Sequence, residues 1–242
     1  YPGFDKVFRA RLDFLSPLHP AALHPRYITM QFGYFDDAQK EYVITRPDTP
    51  KPWSNYLGNP EYGAIITNNA GGYSFYKQGG MGRYIRMRFN SVPLDQPGRY
   101  LYLHDRERKD FWSATWQPVG KPLSEYRSEC RHGTSYSVMS SEYDRIRTET
   151  TYFVPLGAIH ELWKVTITNT DDARRSLRAF TYVEYAASWN AIDDLLNLQY
   201  VQYTSQVQPV DGIIDHGTNV NIPEMPDNFR EKTPTCGPTS PS

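Results

Sequence analysis

The sequence predicts an all-β protein in which antiparallel strands form a sandwich or a barrel. Many short runs alternate apolar and polar residues, and Gly, Pro, Asn or Asp separates one run from the next. No run has the period of an amphipathic helix longer than a few turns. The length of 242 residues suits one large β domain or two small ones.

Both ends of the chain depart from this pattern. Residues 1–29 show neither a strand nor a helix period, and we expect a poorly ordered leader there. The last residues read EKTPTCGPTSPS and are rich in Pro, Thr and Ser, which predicts a flexible tail over 231–242. The folded domain is therefore expected to span residues 30–230.

The segment NNAGGYSFY, residues 68–76, predicts a turn that enters a strand. Gly71 and Gly72 permit a positive φ or a close backbone approach. Tyr73 and Phe75 alternate with their neighbours and are expected to pack in the core. The alternative is that the aromatic residues of this segment form a platform for sugar.

The segment RYIRMRF, residues 83–89, alternates apolar residues with Tyr84, Arg86 and Arg88. The arginine side of this strand could hold a phosphate or a carboxylate. Alternating arginines are more common on a solvated strand face, and we expect that arrangement here.

The clearest strand pattern is ELWKVTITNTDDARRSLRAFTYVEY, residues 161–185. Trp163, Val165 and Ile167 alternate with polar residues, which predicts a half-buried strand. The NTDDA segment predicts a turn through its Asn and Asp side chains. Leu177 and the residues that follow it are expected to form the partner strand.

Composition excludes several classes of function. Lys and Arg total 26 and Asp and Glu total 27, so no basic surface predicts a nucleic-acid partner. Aromatic residues make up 14% of the chain, with 19 Tyr and 11 Phe, which is typical of a globular protein with hydrated aromatic surfaces.

No stretch reaches the roughly 20 apolar residues of a membrane helix, and the first residues lack the features of a signal peptide. Cys130 and Cys236 are too few for a disulfide scaffold. We therefore predict a cytoplasmic protein without a membrane partner.

Few residues suggest catalysis. Asp36 and Asp37 are adjacent, as are Asp193 and Asp194, but adjacent residues on a strand point to opposite faces and cannot oppose each other across a sugar. His132, like His104, has no Ser or Cys nucleophile beside it in sequence. The Cys and His spacing predicts no metal site, and no phosphate loop or dinucleotide fingerprint is present, so we predict no cofactor.

Eight stretches occur in the order found in the N-terminal β-sandwich domain of glycoside hydrolase family 94, formerly glycosyltransferase family 36, which includes cellobiose, cellodextrin and chitobiose phosphorylases. They are FGYFDDAQKEYVITRPDTPKPWSNYLGN, NNAGGYSFYKQ, RFNSVPLDQPGRYLYLHD, FWSATWQPV, RHGTSYSVM, YFVPLG, VTITNT and VEYAASWNAIDD. The resemblance covers about residues 30 to 210, and the combination is more specific than any one stretch.

This resemblance implies an antiparallel supersandwich of the galactose-mutarotase-like type. Enzymes of the family cleave β-linked gluco-disaccharides or oligosaccharides with inorganic phosphate, invert the anomeric centre and use no metal. The single carboxylic acid that they need for the leaving oxygen lies in an (α/α)6 barrel.

Because no barrel segment is recognisable here, we expect the isolated chain to bind carbohydrate and to make the subunit contact of a homodimer without turning over substrate. Family strands are not recognisable after about Gly212, so the sheet is expected to be incomplete at its C-terminal end. Two alternatives stay open at this point: a free-standing carbohydrate-binding module, and an independent enzyme built on the Asp pairs.

The segment SWNAIDDLLNLQYVQY, residues 188–203, loses the strand alternation and gathers amide, carboxylate and aromatic side chains. The resemblance implies that this loop faces the active site of the neighbouring subunit. Many family members have Arg after the Gln where this chain has Tyr200, which predicts a reduced preference for an anionic acceptor. The predicted substrate-binding residues are Tyr76, Trp189, Asp194, Asn197, Gln199 and Tyr200.

Overall fold

The computed structural model describes residues 31–86, 98–186 and 205–218. These residues form fifteen strands and no helix, which confirms the all-β prediction for this part of the chain. The described part therefore contains no helix long and apolar enough to cross a membrane. The strands are β1 (Gly33–Asp36), β2 (Glu41–Ile44), β3 (Ser54–Gly58), β4 (Tyr62–Thr67), β5 (Gly72–Gln78), β6 (Met81–Ile85), β7 (Arg99–Asp105), β8 (Asp110–Ser113), β9 (Tyr126–Gly133), β10 (Tyr136–Tyr143), β11 (Ile146–Phe153), β12 (Leu162–Asn169), β13 (Leu177–Val183), β14 (Ser205–Val210) and β15 (Ile213–Thr218).

All strand pairs are antiparallel, and they form four sheets. The largest sheet has six strands in the order β1-β2-β9-β10-β11-β12, and a second has four in the order β3-β4-β5-β6. A third has three strands, β13-β7-β8, and a fourth pairs β14 with β15.

The four-stranded and three-stranded sheets are joined by backbone hydrogen bonds. The N–H of Arg99 donates to the carbonyl of Ala70 at 2.9 Å, and the N–H of Arg86 donates to the carbonyl of Glu184 at 3.0 Å. Together they make one layer of a sandwich, and the six-stranded sheet makes the other.

The hydrophobic core fills the space between these layers in two clusters. One joins β2, β9, β10 and β11 to β3, β4 and β7 and includes Ile66, Tyr100 and Tyr152. The other joins β9, β10 and β11 to β7 and β8 around Trp112, which is 1% exposed. Burial of these aromatic and aliphatic side chains on both inner faces stabilises the sandwich.

Strands β9, β10 and β11 form a meander whose two turns contain two residues each. Asp144 and Arg145 both have positive φ, 49° and 63°, which is the geometry of a type I′ turn. The β9–β10 turn is also fixed from the opposite layer, because the Asn55 amide of β3 donates to the carbonyls of Gly133 at 2.8 Å and Tyr136 at 2.9 Å.

The predicted pairing of β12 with β13 is wrong. β12 pairs with β11 in the six-stranded sheet, and β13 pairs with β7 in the other layer, so the connection crosses between layers. Arg175 in this connection explains the crossing: its guanidinium binds Asp105 at 2.6 Å and Asp144 at 2.8 Å. The buried pair with Asp105 and the partly exposed pair with Asp144 together hold the end of β7 against the β10–β11 turn.

The prediction of a half-buried strand at β12 also needs correction. Val165 and Ile167 lie on the same face as the buried Thr150 and Thr148 of β11, as the alternation requires. They are nevertheless 36% and 41% exposed. In the described part of the chain β12 is the edge strand of its sheet, so no further strand there shields this apolar face.

The predicted solvated arginine face of RYIRMRF is wrong at Arg86. Its side chain is 3% exposed, and Nη1 binds Glu184 Oε1 at 2.9 Å. Arg86 therefore pairs with a carboxylate of the protein itself instead of facing solvent. Strand alternation could not show this, because Glu184 is far away in sequence and meets β6 only where the two sheets join.

A deeply buried ion pair connects the two layers. Arg99 at the start of β7 is fully buried, and its Nε donates to Glu161 Oε1 just before β12. The other guanidinium nitrogens donate to the carbonyls of Ile65 and Tyr73, each at 3.1 Å. Trp163 Nε1 donates to the same Glu161 oxygen at 2.9 Å.

The second Glu161 oxygen accepts a hydrogen bond from the Tyr62 hydroxyl at 3.2 Å. Burial and the negative charge of Glu161 raise the pKa of Tyr62 well above its ordinary value, so this hydroxyl remains a donor. Arg99 donates to backbone carbonyls, and Glu161 accepts from a hydroxyl and an indole N–H, and these partners come from both layers. Each buried charge therefore makes hydrogen bonds.

We expect Glu161→Gln to lower the free energy of unfolding by about 3–5 kcal/mol, because it leaves the buried Arg99 charge without its carboxylate. Urea denaturation followed by circular dichroism measures this loss. A double substitution, Arg99→Met with Glu161→Leu, should regain a large part of it, since an apolar pair of similar volume needs no charge compensation.

The matched control is Glu61→Gln, which makes the same chemical change in an exposed ion pair, Lys77 Nζ to Glu61 Oε2 at 3.6 Å. This change should move the urea midpoint little, because exposed pairs contribute little to stability. Equal losses from Glu61→Gln and Glu161→Gln would contradict the importance of the buried pair.

Candidate functional site

The segment NNAGGYSFY makes a tight, buried turn. The N–H of Thr67 donates to the carbonyl of Gly71 at 3.0 Å, and the N–H of Gly71 donates to Thr67 Oγ1 at 2.9 Å. Asn68 is 2% exposed, and its Oδ1 accepts the N–H of Trp53 at 3.0 Å. These amides stabilise the fold rather than facing a ligand.

The two glycines serve close backbone approach, as predicted. Gly72 has φ +114°, and a Cβ there would lie 2.1 Å from the carbonyl oxygen of Ile65. Gly71 forms a bridge to Gly98 at the junction of two sheets. Any side chain at Gly72 would therefore push β4 and β5 apart.

Tyr76 lies near the end of β5 and is half-buried. It is directly opposite Tyr62, on the face that continues to the buried Ser74. Lys77 Nζ lies 4.9 Å from the centre of the Tyr76 ring. Tyr76 therefore sits at the margin of the core.

Tyr73 and Phe75 point to the other face of β5, where both are half-buried and their ring centres are 6.0 Å apart. The guanidinium of Arg83 lies 4.2 Å from the centre of the Tyr73 ring. Their predicted place in the packing is thus only partly realised, because they cover the outer side of the four-stranded sheet.

The other predicted sugar-binding residues lie outside the described residues. They are Trp189, Asp194, Asn197, Gln199 and Tyr200. Their proposed contact with substrate stays a prediction from the sequence.

A groove of about 580 Å³ lies where three elements converge. Its walls are the β1–β2 hairpin, Asn55 and Tyr56 of β3, and residues 132–135 at the β9–β10 turn. Its volume is within the range of small-molecule sites in proteins. We call this the hairpin groove.

Two aromatic rings stand open at the hairpin groove. Phe35 is 76% exposed and Tyr56 is 73% exposed. The Phe35 ring contacts Tyr42 edge to face, with 4.7 Å between ring centres, and Tyr42 in turn lies 5.7 Å from Trp53. The exposed ring is thus anchored to the core through two further aromatic side chains.

Charged side chains line the hairpin end of the groove. Arg131 Nη1 binds Glu41 Oε2 at 3.0 Å and Asp36 Oδ2 at 3.3 Å, and the Tyr136 hydroxyl donates to Glu41 Oε1 at 2.6 Å. The Asp37 carboxylate and the Lys40 ammonium make no side-chain hydrogen bond or ion pair with the rest of the described chain. Both are exposed and available to a ligand.

His132 is half-buried at the base of the groove. Its Nε2 lies 3.2 Å from the carbonyl oxygen of Trp53, which requires a proton on Nε2, and Nδ1 then accepts from Ser137 Oγ at 2.9 Å. Burial lowers the pKa of His132. Cys130 also lies beside the ring, with its Sγ 3.6 Å from Nδ1, as the spacing of two residues on one strand requires.

Ser137 is fully buried and also receives a hydrogen bond from the Asn55 amide at 3.3 Å, so it has no path to a substrate. The His132 and Ser137 pair is therefore structural. The described residues contain no group of three His, Cys, Asp or Glu side chains positioned to hold a metal ion.

Sequence reasoning missed the hairpin groove. In the sequence, Asp36 and Asp37 suggest only a possible catalytic pair, and no motif indicates Phe35 or Tyr56 as binding residues. One signal was available: YFDDAQKEY places charged residues in a hairpin turn between aromatic residues. The contribution of Tyr56 depends on contact between sheets and had no local signal.

Comparison with known proteins finds a match to one family model and to several phosphorylases. Residues 40–229 match the family model for the supersandwich domain of glycosyl hydrolase 94. Over 196 residues the chain is 44% identical to N,N'-diacetylchitobiose phosphorylase of Vibrio furnissii and 42% identical to the protein of that name from Vibrio proteolyticus. Each alignment covers 81% of this chain and 24% of the relative.

The chain is also 36% identical over 150 residues to 3-O-beta-D-glucopyranosyl-beta-D-glucuronide phosphorylase of Paenibacillus borealis, which covers 62% of this chain and 18% of that protein. The chain thus spans about a quarter of the length of the Vibrio relatives.

We predict that His132 makes the stability of the fold depend on pH. Its folded pKa lies below the ordinary value of 6.5, so the unfolded chain takes up a proton more readily. The free energy of unfolding should be highest above about pH 6.5 and should fall as the pH drops toward the folded pKa. In His132→Gln this decline should be smaller, as measured by urea denaturation between pH 7.5 and pH 5.

His104→Gln on β7 is the matched control for loss of an imidazole, and the wild-type decline should persist in it. A His132→Gln variant with an undiminished decline would assign the pH dependence to other groups.

Proposed function

The chain belongs to the glycosyl hydrolase 94 family, and on that premise we propose that it is the supersandwich domain of an inverting glycoside phosphorylase. In this role it contributes to sugar binding and to subunit contact, while the enzyme cleaves a β-linked disaccharide with inorganic phosphate. The observation that carries the proposal is the 44% identity over 196 residues with a phosphorylase.

The substrate that we propose is a neutral disaccharide of the N,N'-diacetylchitobiose type. Two relatives of that name are 42% and 44% identical to this chain, whereas the glucuronide phosphorylase is 36% identical over a shorter region. A neutral acceptor also agrees with Tyr200, which cannot supply the charged fork that arginine offers to a carboxylate.

The described residues support a division of labour in which the proton donor lies elsewhere in the enzyme. A general acid for a glycosidic oxygen needs a raised pKa. The buried carboxylates Glu161 and Asp105 and the half-buried Glu184 are instead each paired with an arginine.

Asp105 shows how pairing with an arginine keeps a buried carboxylate ionised. Burial alone raises the pKa of Asp105, but hydrogen bonds from the backbone N–H groups of Arg108 and Glu107 and from Arg175 outweigh it and hold the pKa below its ordinary value. Such a carboxylate stays ionised and cannot donate a proton to the leaving group.

Tyr76 supports the sugar-binding part of the proposal. A half-buried tyrosine at the end of a strand offers an apolar ring face and a hydroxyl, which suits the two sides of a pyranose. Its neighbours on β4 and β5 are rigidly paired, so the ring is held by the sheet. Loops carried on such a scaffold commonly form binding sites.

The first test compares the 242-residue chain alone with a chimera in which residues 40–229 replace the matching region of the Vibrio furnissii enzyme. We expect no release of sugar 1-phosphate from N,N'-diacetylchitobiose or cellobiose by the chain alone. The chimera should release it only when phosphate is present. An inactive but folded and dimeric chimera would contradict the proposed role, and phosphate-dependent turnover by the chain alone would contradict the division of labour.

The second test changes Tyr76→Ala in the active chimera. We expect the KM for disaccharide to rise by about fivefold or more while the melting temperature falls only slightly, because a binding contact is removed at the margin of the core. Tyr73→Ala, on the same strand but on the opposite face, is the matched control and should leave KM unchanged. A lower melting temperature with an unchanged KM in Tyr76→Ala would make Tyr76 a packing residue.

A further inference from the structure

We propose that the hairpin groove binds a neutral β-linked oligosaccharide without transforming it. The described residues that line the groove do not include Tyr76, the one predicted sugar-binding residue that the structure describes. The inference goes beyond the proposed function, because it rests on the chemistry of the groove and requires neither phosphate nor turnover.

The two exposed rings provide the apolar part of the site. Phe35 and Tyr56 line the groove, and each is about three-quarters exposed. They come from different sheets, β1 in one layer and β3 in the other, so a ligand that spans the groove meets a ring on each side. Extended saccharides present alternate apolar ring faces to such platforms.

The polar part of the site suits hydroxyl and amide groups. The Asp37 carboxylate accepts hydrogen bonds, the Lys40 ammonium donates them, and Thr134 and Ser135 at the β9–β10 turn do both. A saccharide offers donors and acceptors along its whole length. An apolar peptide segment would leave these charged groups unsatisfied when it covered them.

The walls of the groove are held in place by partly buried hydrogen bonds and ion pairs. Asn55 is fixed by its bonds to the carbonyls of Gly133 and Tyr136 and ties the β9–β10 turn to β3. Arg131 ties β9 to the β1–β2 hairpin through Asp36 and Glu41. Because the site is organised before the ligand arrives, little conformational entropy is lost on binding.

Charge favours a neutral ligand over an anionic one. Arg131 is engaged with Asp36 and Glu41, which leaves Asp37 and Lys40 as the charges that a ligand meets first. Lys40 alone offers no bidentate fork for a carboxylate. The carboxylates around it oppose an acidic sugar.

The test is isothermal titration calorimetry of the full 242-residue chain without phosphate. The probes are the N-acetylglucosamine tetramer, cellotetraose and, as the anionic comparison with the same linkage, the β-1,4-linked tetramer of glucuronic acid. We expect saturable binding of at least one neutral tetramer at millimolar concentration or below, and weaker or no binding of the acidic tetramer.

Phe35→Ala and Tyr56→Ala should each weaken binding of the neutral tetramer by about fivefold or more. Asp37→Asn should weaken it less and should improve binding of the acidic tetramer. Phe111→Ala is the matched control, since Phe111 is 54% exposed on β8 and does not line the groove. All four changes are at exposed side chains, so melting temperatures should stay close to that of the unchanged chain.

The proposal is overturned if no neutral tetramer binds at concentrations up to about 10 mM, or if binding is the same in Phe35→Ala and Tyr56→Ala as in Phe111→Ala. Preferred binding of the acidic tetramer would also overturn it. Its failure is distinct from failure of the proposed function, because the chimera assays report phosphorolysis and the effect of Tyr76, neither of which involves this groove.

Discussion

The buried pair of Arg99 and Glu161 is the interaction on which the two layers depend. Burial of either charge without its partner would cost several kcal/mol, because the ion would lose its hydration. The fold meets this cost by surrounding the pair with donors and acceptors from β4, β5 and β12. Those bonds form together only when both layers are in register, so the pair couples the sheets more specifically than apolar packing does.

The same logic applies at the other end of the sandwich, where Arg175 joins Asp105 and Asp144. In both places a guanidinium binds groups that lie far apart in sequence. The long-range order of this protein therefore depends on arginines in the interior, although arginine is usually a surface residue. Apolar packing alone would allow the layers to shift relative to each other. The guanidinium donors have a fixed geometry, so they can bind their partners in only one arrangement of the layers.

These arginines also mark the limit of what the sequence could predict. Alternation is a local property, and it identified β5, β12 and β13 as strands. Which strand each one pairs with is not local. The wrong pairing of β12 with β13 and the wrong environment for Arg86 both concern partners that are distant in sequence, β11 and β7 in the first case and Glu184 in the second. The family resemblance predicted the supersandwich, because it draws on the whole order of segments rather than on any single period.

The candidate site residues also divide into those that a local sequence pattern predicts and those whose role depends on contacts between strands. The role of Gly71 and Gly72 could be predicted from the sequence, because glycine permits a positive φ and a close backbone approach. Tyr76 could be placed on a strand, but its face and depth required the pairing with Tyr62. The hairpin groove needs three segments from two sheets, and only one of them, the β1–β2 hairpin, has a sequence signal. Its contacts exist only after the layers have closed.

The two-residue turns of the β9–β10–β11 meander have a consequence for how the chain reaches this state. Closing a loop of two residues costs little chain entropy, and every contact within the meander is between near neighbours in sequence. By contrast, β2 joins β9 only after the whole of β3 to β8 has been enclosed, and β7 joins β13 across β8 to β12. The domain thus combines a segment of low contact order with sheet pairings of high contact order, and the loop-closure entropy of its folding falls mainly on the pairing of β2 with β9 and of β7 with β13.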